Sequence, residues 1–184
     1  MSKVLAAAGI VSGIFVALFF LFGDPYTAIT SLYKPSPIKQ VIPGFLPNNS
    51  SNIEIMIHQM INEHREAKGL EVLVWDENLA IVARNHSEDM AKRGYFEHED
   101  PEGHDHVYRY LMHEYRCDYA SGENIYMTEK PVMGDSDEKI ADKAVVGWMN
   151  SDGHRENILY DGFHKEGIGV YLGLTDAHIT QNFC

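Results

Sequence analysis

Hydrophobic and polar residues follow several different patterns along the chain, and the first is an apolar run. Residues 4–22 contain no charged residue, and these 19 positions are enough to cross a bilayer core as a helix. Lys3 precedes the run and Asp24 follows it. The positive-inside bias then predicts an amino terminus in the cytoplasm and the remainder of the chain outside.

A cleaved signal peptide is the alternative for this segment. Such a peptide usually has an apolar region of about 7–15 residues that ends in small residues at the cleavage site. Here the run is longer and ends at Phe22-Gly23-Asp24 without an Ala-x-Ala sequence. These features favour an uncleaved transmembrane anchor over residues 1–23. If the segment is cut, the rest of the protein would be secreted.

Residues 24–51 have the composition of a linker. Prolines at this density prevent a helix and favour an extended chain. As a flexible coil, the 28 residues would reach roughly 30 Å from the membrane. The segment holds five of the seven prolines of the chain: Pro25, Pro35, Pro37, Pro43 and Pro47.

The remaining residues, 52–184, show helical spacing of apolar positions first and strand-like alternation later. Capping residues and glycines set the expected ends of the helices. This mixture predicts an α+β domain with its elements in layers. We predict helices over 53–69, 76–94, 102–115, 136–148 and 151–159, and strands over 167–172 and 177–183 with a third around 125–126.

Charge and cysteine content narrow the functional classes for this domain. Residues 52–184 carry 12 Lys and Arg against 26 Asp and Glu, a balance of −14. Nucleic acid is excluded as a partner because its phosphates require a basic surface. Cys117 and Cys184 form a disulfide if the domain lies outside the cell, and remain free thiols in a reducing interior. The predicted anchor favours the disulfide.

Polar residues that could form one cleft come from separate elements. His178 shares a strand face with Thr180 and Asn182, which fits either a cleft wall or a solvated face. His98 lies in an acidic loop. The aromatic residues that precede His98 are expected to pack this loop against the domain. Glu123 lies at the mouth of a strand, and is either a cleft residue or a surface carboxylate.

Two further polar residues belong to the predicted short helix. His154 and Asn157 are three residues apart and therefore share a helix face. For this pair we expect a structural role, in which the side chains bond backbone groups and fix a turn.

Several segments, in this order, resemble the CAP superfamily of cysteine-rich secretory proteins, venom antigens and plant pathogenesis-related proteins, also called SCP domains. The resemblance is to its prokaryotic branch and covers about residues 53–183. The matching segments are Ile61–Arg65, Leu73–Asp76, Ala83–Met90, Phe96–His98, Gly122–Ile125, Trp148–Leu159, Gly167–Val170 and Thr180–Phe183.

The resemblance implies a three-layer α-β-α sandwich and a central cleft with a tetrad of two His and two Glu. His98, Glu123 and His178 fall on three tetrad positions. The fourth position, a glutamate in the family, is Ser151 here. His154 lies one helical turn further on and could face the vacancy. The missing carboxylate argues against an activity that needs both.

Three functions follow as hypotheses. In the first, His98 and His178 bind zinc or another divalent cation, and the domain recognises a lipid, glycan or peptide at the cell surface. In the second, the metal activates water and Glu123 is the general base of a peptidase-like hydrolase. We rank this below binding because no His-Glu-x-x-His or Gly-x-Ser-x-Gly sequence occurs. In the third, the polar cluster is structural and the domain serves in adhesion.

The cysteines allow one conditional prediction about strand pairing. If the Glu123 segment paired antiparallel with the last strand so that Glu123 faced His178, then Cys117 would face Cys184. A disulfide in that register would close a loop of 67 intervals and stabilise the domain by a few kcal/mol.

Overall fold

Helices cover both faces of a four-stranded sheet in the computed structural model, which describes residues 52–128 and 135–184. The predicted anchor, 1–23, and linker, 24–51, lie outside these residues. Within the described residues no helix is both long and apolar enough to cross a membrane. The elements are α1 Asn52–Ala67, β1 Val74–Trp75, α2 Glu77–Arg93, α3 His106–Met112, β2 Gly122–Met127, α4 Asp137–Asn150, α5 Asp152–Ile158, β3 Lys165–Leu172 and β4 Ala177–Phe183.

The main hydrophobic core lies between one face of the sheet and helices α1 and α4. Ile53, Ile57 and Ile61 recur every fourth residue and are buried together on one face of α1. Trp148 of α4 is fully buried beside them, and its indole Nε1 donates to the carbonyl of Ile125 at 3.0 Å. This bond satisfies the one polar atom of a large core side chain and fixes α4 over β2.

Helix α2 covers the opposite face, and its ends are those that the sequence predicts. The side chain of Asp76 accepts from the backbone N–H groups of Asn78 and Leu79, so it caps the first turn. Gly94 ends the helix with φ of 72°, a left-handed conformation that favours glycine. Both ends of α2 are therefore marked by local contacts with neighbouring backbone groups.

Glycine in β3 allows α2 to lie directly on the sheet. A Cβ atom added at Gly169 would lie 2.0 Å from the backbone nitrogen of Arg84 and 2.2 Å from the carbonyl carbon of Ala83. Both obstacles are backbone atoms, so the helix itself would have to move.

Replacing Gly169 with alanine is therefore expected to lower the free energy of unfolding by about 1–3 kcal/mol, because the added methyl group overpacks the contact between α2 and β3. Urea unfolding measures the change. Gly153→Ala is the control, because nothing lies within 4 Å of its added Cβ. Equal stability of both variants would mean that α2 does not pack on β3 as described.

The strand order is β1-β3-β4-β2. β3 and β4 form an antiparallel hairpin, β2 pairs antiparallel with the other edge of β4, and β1 pairs parallel with β3. The prediction of two terminal strands around a short turn is confirmed, and so is a mixed α and β fold with helices and a sheet.

The conditional register of β2 against β4 is wrong. Glu123 faces Asn182, and His178 faces Met127. Glu123 is therefore four strand positions, or about 13 Å, from the level of His178. Cys117 lies before β2 and outside the ladder. The disulfide between Cys117 and Cys184 is nevertheless present, because the segment before β2 passes the end of β4.

The bounds of one helix are corrected, and one alternative that the sequence left open is decided. α3 spans only His106–Met112 rather than 102–115, because Asp105 caps it and the preceding residues form a hydrogen-bonded loop. The face of β4 that carries His178 is not solvated, since all seven residues of this strand are buried. β4 has strands on both sides and helices above and below, and alternation alone does not distinguish this position from an edge strand.

Candidate functional site

A buried carboxylate is the centre of the site. Glu123, whose side chain is 1% exposed, lies on β2 between two groups that can be cationic. Its Oε1 lies 2.9 Å from Nδ1 of His98, and its Oε2 accepts from Nη2 of Arg109 at 2.6 Å. A buried carboxylate is stable only with such partners, so these three side chains form one unit.

Electrostatics favour the ionised form of the carboxylate. Burial raises the pKa of Glu123, but the hydrogen bond from His98 and the charge of Arg109 outweigh it, and the net shift is downward. The pKa of His98 is raised, mainly by its hydrogen bond to Glu123. The pair therefore behaves as an ionised carboxylate that holds an imidazole Nδ1–H.

Arg109 also fixes the loop that carries His98. Its Nη1 donates to the backbone carbonyls of His98 at 3.0 Å and His104 at 2.9 Å. At the other side of the loop, Asp100 accepts from the backbone N–H groups of Glu102 and His104. The predicted packing of this loop follows from these polar bonds as well as from its aromatic residues.

Two more histidines lie close to Glu123. His86 of α2 is 1% exposed, and its Nε2 lies 3.9 Å from Oε1 of Glu123. The same Nε2 is within hydrogen-bond distance of the carbonyl oxygen of Glu97. His106 of α3 places Nε2 3.1 Å from the hydroxyl of Ser121. Burial lowers the pKa of both rings, so both favour the neutral form.

His178 lies on the same sheet face but at another level. Its ring makes an edge contact with Phe96, with 6.5 Å between centroids, so the loop of His98 also covers His178. Its Nδ1 is buried without a hydrogen-bond partner, and burial lowers its pKa. Among the described residues, no hydrogen bond or ion pair joins His178 to His98 or Glu123.

Ser151 and His154 belong to the segment in which α5 follows α4. Ser151 is the junction between α4 and α5, and its side chain makes no capping bond. Burial lowers the pKa of the His154 ring, and the charge of His98 lowers it further.

Of the pair predicted to have a structural role, Asn157 acts through its side chain and His154 through its backbone carbonyl. The backbone carbonyl of His154 accepts from Nδ2 of Asn124 at 3.1 Å. Asn157 donates through Nδ2 to Oδ1 of Asn124 at 2.9 Å. These bonds fix α5 beside Asn124, the residue that follows Glu123.

Sequence patterns gave no sign of Arg109, which is a partner of Glu123. A basic residue on a short helix is usually solvated, and only the fold brings it to β2. The acidic character of the loop is visible in the sequence, but the convergence of Asp100, Glu102 and His104 is not. In the described part of the chain, only Asp100, Glu102 and His104 form a set of three or more potential metal ligands whose ligand atoms all lie within 4.8 Å. Glu102 is paired with Arg93, and His104 with Asp100.

Most of the described chain matches a known protein family. Residues 58–183 match the model of the cysteine-rich secretory protein family, which covers well over half of the chain. The protein belongs to the CAP superfamily. The predicted resemblance is thus confirmed.

Relatives of this CAP protein include two Bacillus subtilis proteins. YkwD is 33% identical over 127 residues, which are 67% of this chain and 44% of YkwD. YlbC, described as a membrane protein, is 35% identical over 134 residues, which are 71% of this chain and 34% of YlbC. The chain therefore spans less than half the length of either relative.

Solved structures give the same fold. An extracellular protein with an SCP domain from Bacillus anthracis has a TM-score of 0.60 at 32% identity, over 71% of this chain and 39% of that one. NaASP2, crystallised with Zn²⁺, has a TM-score of 0.54 at 16% identity, over 76% of this chain and 83% of that one. At that identity NaASP2 supports the fold alone.

Proposed function

We propose that this CAP domain is a divalent-metal-binding module, with zinc as the preferred ion. The observation that carries the proposal is the orientation of His98 by Glu123. With Nδ1 held 2.9 Å from the carboxylate, Nε2 is the ring atom left for a ligand, and the side chain is 52% exposed. A carboxylate that bonds the second nitrogen of a ligating histidine is the usual arrangement at metal sites.

The residues fit a site with few protein ligands. His178 supplies a buried Nδ1 that has no other partner, and such an atom is expected to have a ligand or water. Neutral imidazoles suit zinc, and burial favours the neutral form of His178. Bound at His98 and His178, the ion would supply Lewis acidity and open positions for a ligand of the domain. NaASP2, a CAP relative, has been crystallised with Zn²⁺.

Glu123 does not suit the hydrolase alternative. A general base needs a free lone pair and a pKa near the working pH. Both carboxylate oxygens of Glu123 are engaged by His98 and Arg109, and its pKa is lowered. The proposed function is therefore binding, with a lipid, glycan or peptide as the class of ligand. A non-metal, adhesive role is the outcome left if zinc does not bind.

The domain is proposed to work outside the cytoplasm, held at the membrane by residues 1–23. Support comes from the extracellular Bacillus anthracis relative and from YlbC, described as a membrane protein. The disulfide between Cys117 and Cys184 is consistent with an oxidising compartment.

Zinc titration of the purified full-length chain by calorimetry tests the metal proposal. His98→Ala and His178→Ala should each weaken zinc binding by at least about tenfold. Loss of a residue that only hydrogen-bonds to a metal ligand usually weakens binding by about 10–100-fold, and loss of the ligand itself should cost at least as much. His104→Ala is the matched control on the same loop and should leave affinity unchanged. Loss of binding in His104→Ala alone would move the site to Asp100, Glu102 and His104.

The pH dependence of zinc affinity follows from the hydrogen bond between His98 and Glu123. Because the pKa of His98 is raised, a proton competes with the metal up to a higher pH than for a free histidine. Affinity should therefore rise as pH increases through this pKa. A flat profile between pH 5.5 and 8 would show that His98 is not a ligand.

A further inference from the structure

The outer face of α3 is apolar. Val107, Tyr108 and Leu111 are each 42% exposed, and Met112 is 66% exposed. Val107 and Leu111 are four positions apart, as are Tyr108 and Met112, so the two pairs form neighbouring rows on one side of the helix. The inner side of α3 carries the buried Tyr110.

This arrangement reverses the usual one, in which a surface helix turns its polar residues outward. The longer helices of the domain follow the usual arrangement. Among the exposed large hydrophobic residues of the described chain, α1 contributes none, α2 only Ile81 and α4 only Val146. A continuous apolar patch on a soluble domain marks an interaction site. The outer face of α3 is therefore a candidate docking surface.

The patch has a fixed aromatic ring and a recess beside it. The ring of Tyr108 is stacked on that of His104, with 3.8 Å between centroids. Tyr108 and Met112 also line a cavity of about 300 Å³ between α2 and α3. A partner that lies on α3 can therefore place a side chain in this recess, as anchor residues do at protein interfaces.

Carboxylates surround the patch. The loop before α3 lies along the helix, because Arg109 donates to the backbone carbonyls of His98 and His104. Histidines aside, the exposed charged residues between 97 and 119 are six acids and one base, and one of the acids, Glu102, pairs with Arg93. Five carboxylates against one guanidinium leave a balance of −4. These residues are Glu97, Glu99, Asp105, Glu114 and Asp118, against Arg116.

The charge of this acidic rim selects among the possible occupants of the face. A second copy of the chain would bring two such rims together, and residues 52–184 as a whole have a balance of −14. An anionic bilayer surface would repel the rim for the same reason. A basic polypeptide segment is attracted by the rim, and its apolar side chains can cover the patch.

We propose that the outer face of α3 docks a basic segment of a partner protein. Apolar side chains of this segment would cover Leu111 and Met112, and its lysines or arginines would lie against the acidic rim. The charges would contribute mainly to partner choice and association rate, and the apolar contact would supply most of the affinity. The proposal stands on this face and does not require the metal site.

The test follows the methyl resonances of methionine in the full-length chain, labelled with methyl-¹³C-methionine and held in a phosphatidylcholine nanodisc. Met112→Ala assigns the reporter on the patch, and Met149 on α4 is an internal control. Acetyl-Lys-Leu-Lys-Leu-Lys-amide should shift the Met112 signal saturably. Acetyl-Glu-Leu-Glu-Leu-Glu-amide, which has the same apolar side chains and the opposite charge, should not. Serine in place of both leucines of the lysine probe should weaken binding at least about tenfold.

A pair of variants locates the contact. Leu111→Ser should weaken binding of the lysine probe at least about threefold, because part of the apolar contact is lost. Leu174→Ser is the matched control, since Leu174 is 86% exposed in the turn between β3 and β4, and it should leave binding unchanged. Added salt should weaken binding to the wild type.

Several results would overturn the proposal. It fails if the lysine probe gives no saturable shift at Met112, if the glutamate probe binds as tightly, or if Leu111→Ser binds the lysine probe as tightly as the wild type. A Met112 signal that moves with protein concentration alone would assign the face to a second copy, and broadening by a spin-labelled lipid would assign it to the bilayer. Either result also contradicts the proposal. If Leu111→Ser does not fold, the three probes decide on the wild-type protein.

Discussion

Glu123→Gln is expected to lower the free energy of unfolding by about 3–5 kcal/mol, since it leaves the buried guanidinium of Arg109 without its counter-charge. The Arg109 side chain is 12% exposed and is bonded to Glu123 at 2.6 Å. An amide can still accept one hydrogen bond but cannot balance the charge. Equilibrium urea unfolding measures the loss.

The control for this variant is Glu156→Gln, because Glu156 is exposed on α5. Its effect should stay within about 0.5 kcal/mol. A Glu123→Gln variant as stable as this control would show that the carboxylate unit does not stabilise the fold.

The pH dependence of this effect has a definite sign. The folded pKa of Glu123 is lowered, so its contribution is present above about pH 4.3 and is lost as pH falls through the folded pKa. The folded pKa of His98 is raised, so its contribution is complete below about pH 6.5 and is lost as pH rises through the folded pKa. The stability difference between wild type and Glu123→Gln should therefore be largest between these limits.

Removing the disulfide is expected to have a comparable effect. Cys117 and Cys184 are 67 residues apart, and a crosslink closing a loop of that length contributes about 4 kcal/mol through the unfolded chain. The bond also fixes the end of β4 under α3, where Leu79, Val82 and Tyr110 form a small core. Cys117→Ser/Cys184→Ser should therefore unfold at a lower urea concentration.

Chemical reduction of the wild-type protein provides an independent check of the same loss. Reduced wild type and the double serine variant should have the same midpoint, and reduction should not change the variant. If the native protein, unreduced, takes up two alkyl groups, the bond is absent and the prediction is wrong.

Local signals were sufficient to predict much of the fold. The cap at Asp76 and the stop at Gly94 define α2 because both act through neighbouring backbone groups. The β3–β4 hairpin follows from two alternating runs around a short turn. The sequence resemblance predicted the layers and the order of the elements.

Features that depend on distant partners could not be predicted in this way. β1 is only Val74–Trp75 and exists because it pairs with β3. The register of β2 is set by packing on both faces of β4, and neither its turn nor its composition specifies it. Arg109 is a site residue because α3 crosses above β2, which no local spacing indicates.

The candidate site was also predicted only in part. The resemblance named His98 and Glu123, and the structure brings them together at 2.9 Å. It also named His178, which lies under the same loop but bonds neither of the other two in the described residues. The resemblance led us to expect a further carboxylate at the position that Ser151 occupies, and in the structure Arg109 balances the charge of Glu123.

Anomalous diffraction at the zinc edge, from crystals grown with Zn²⁺, would locate the metal on the protein. We expect a peak about 2.0–2.1 Å from Nε2 of His98, with His178 as the second protein ligand and Nδ1 of His98 still bonded to Glu123. A peak at Asp100, Glu102 and His104 instead, or no peak beside His98 at saturating zinc, would contradict this expectation.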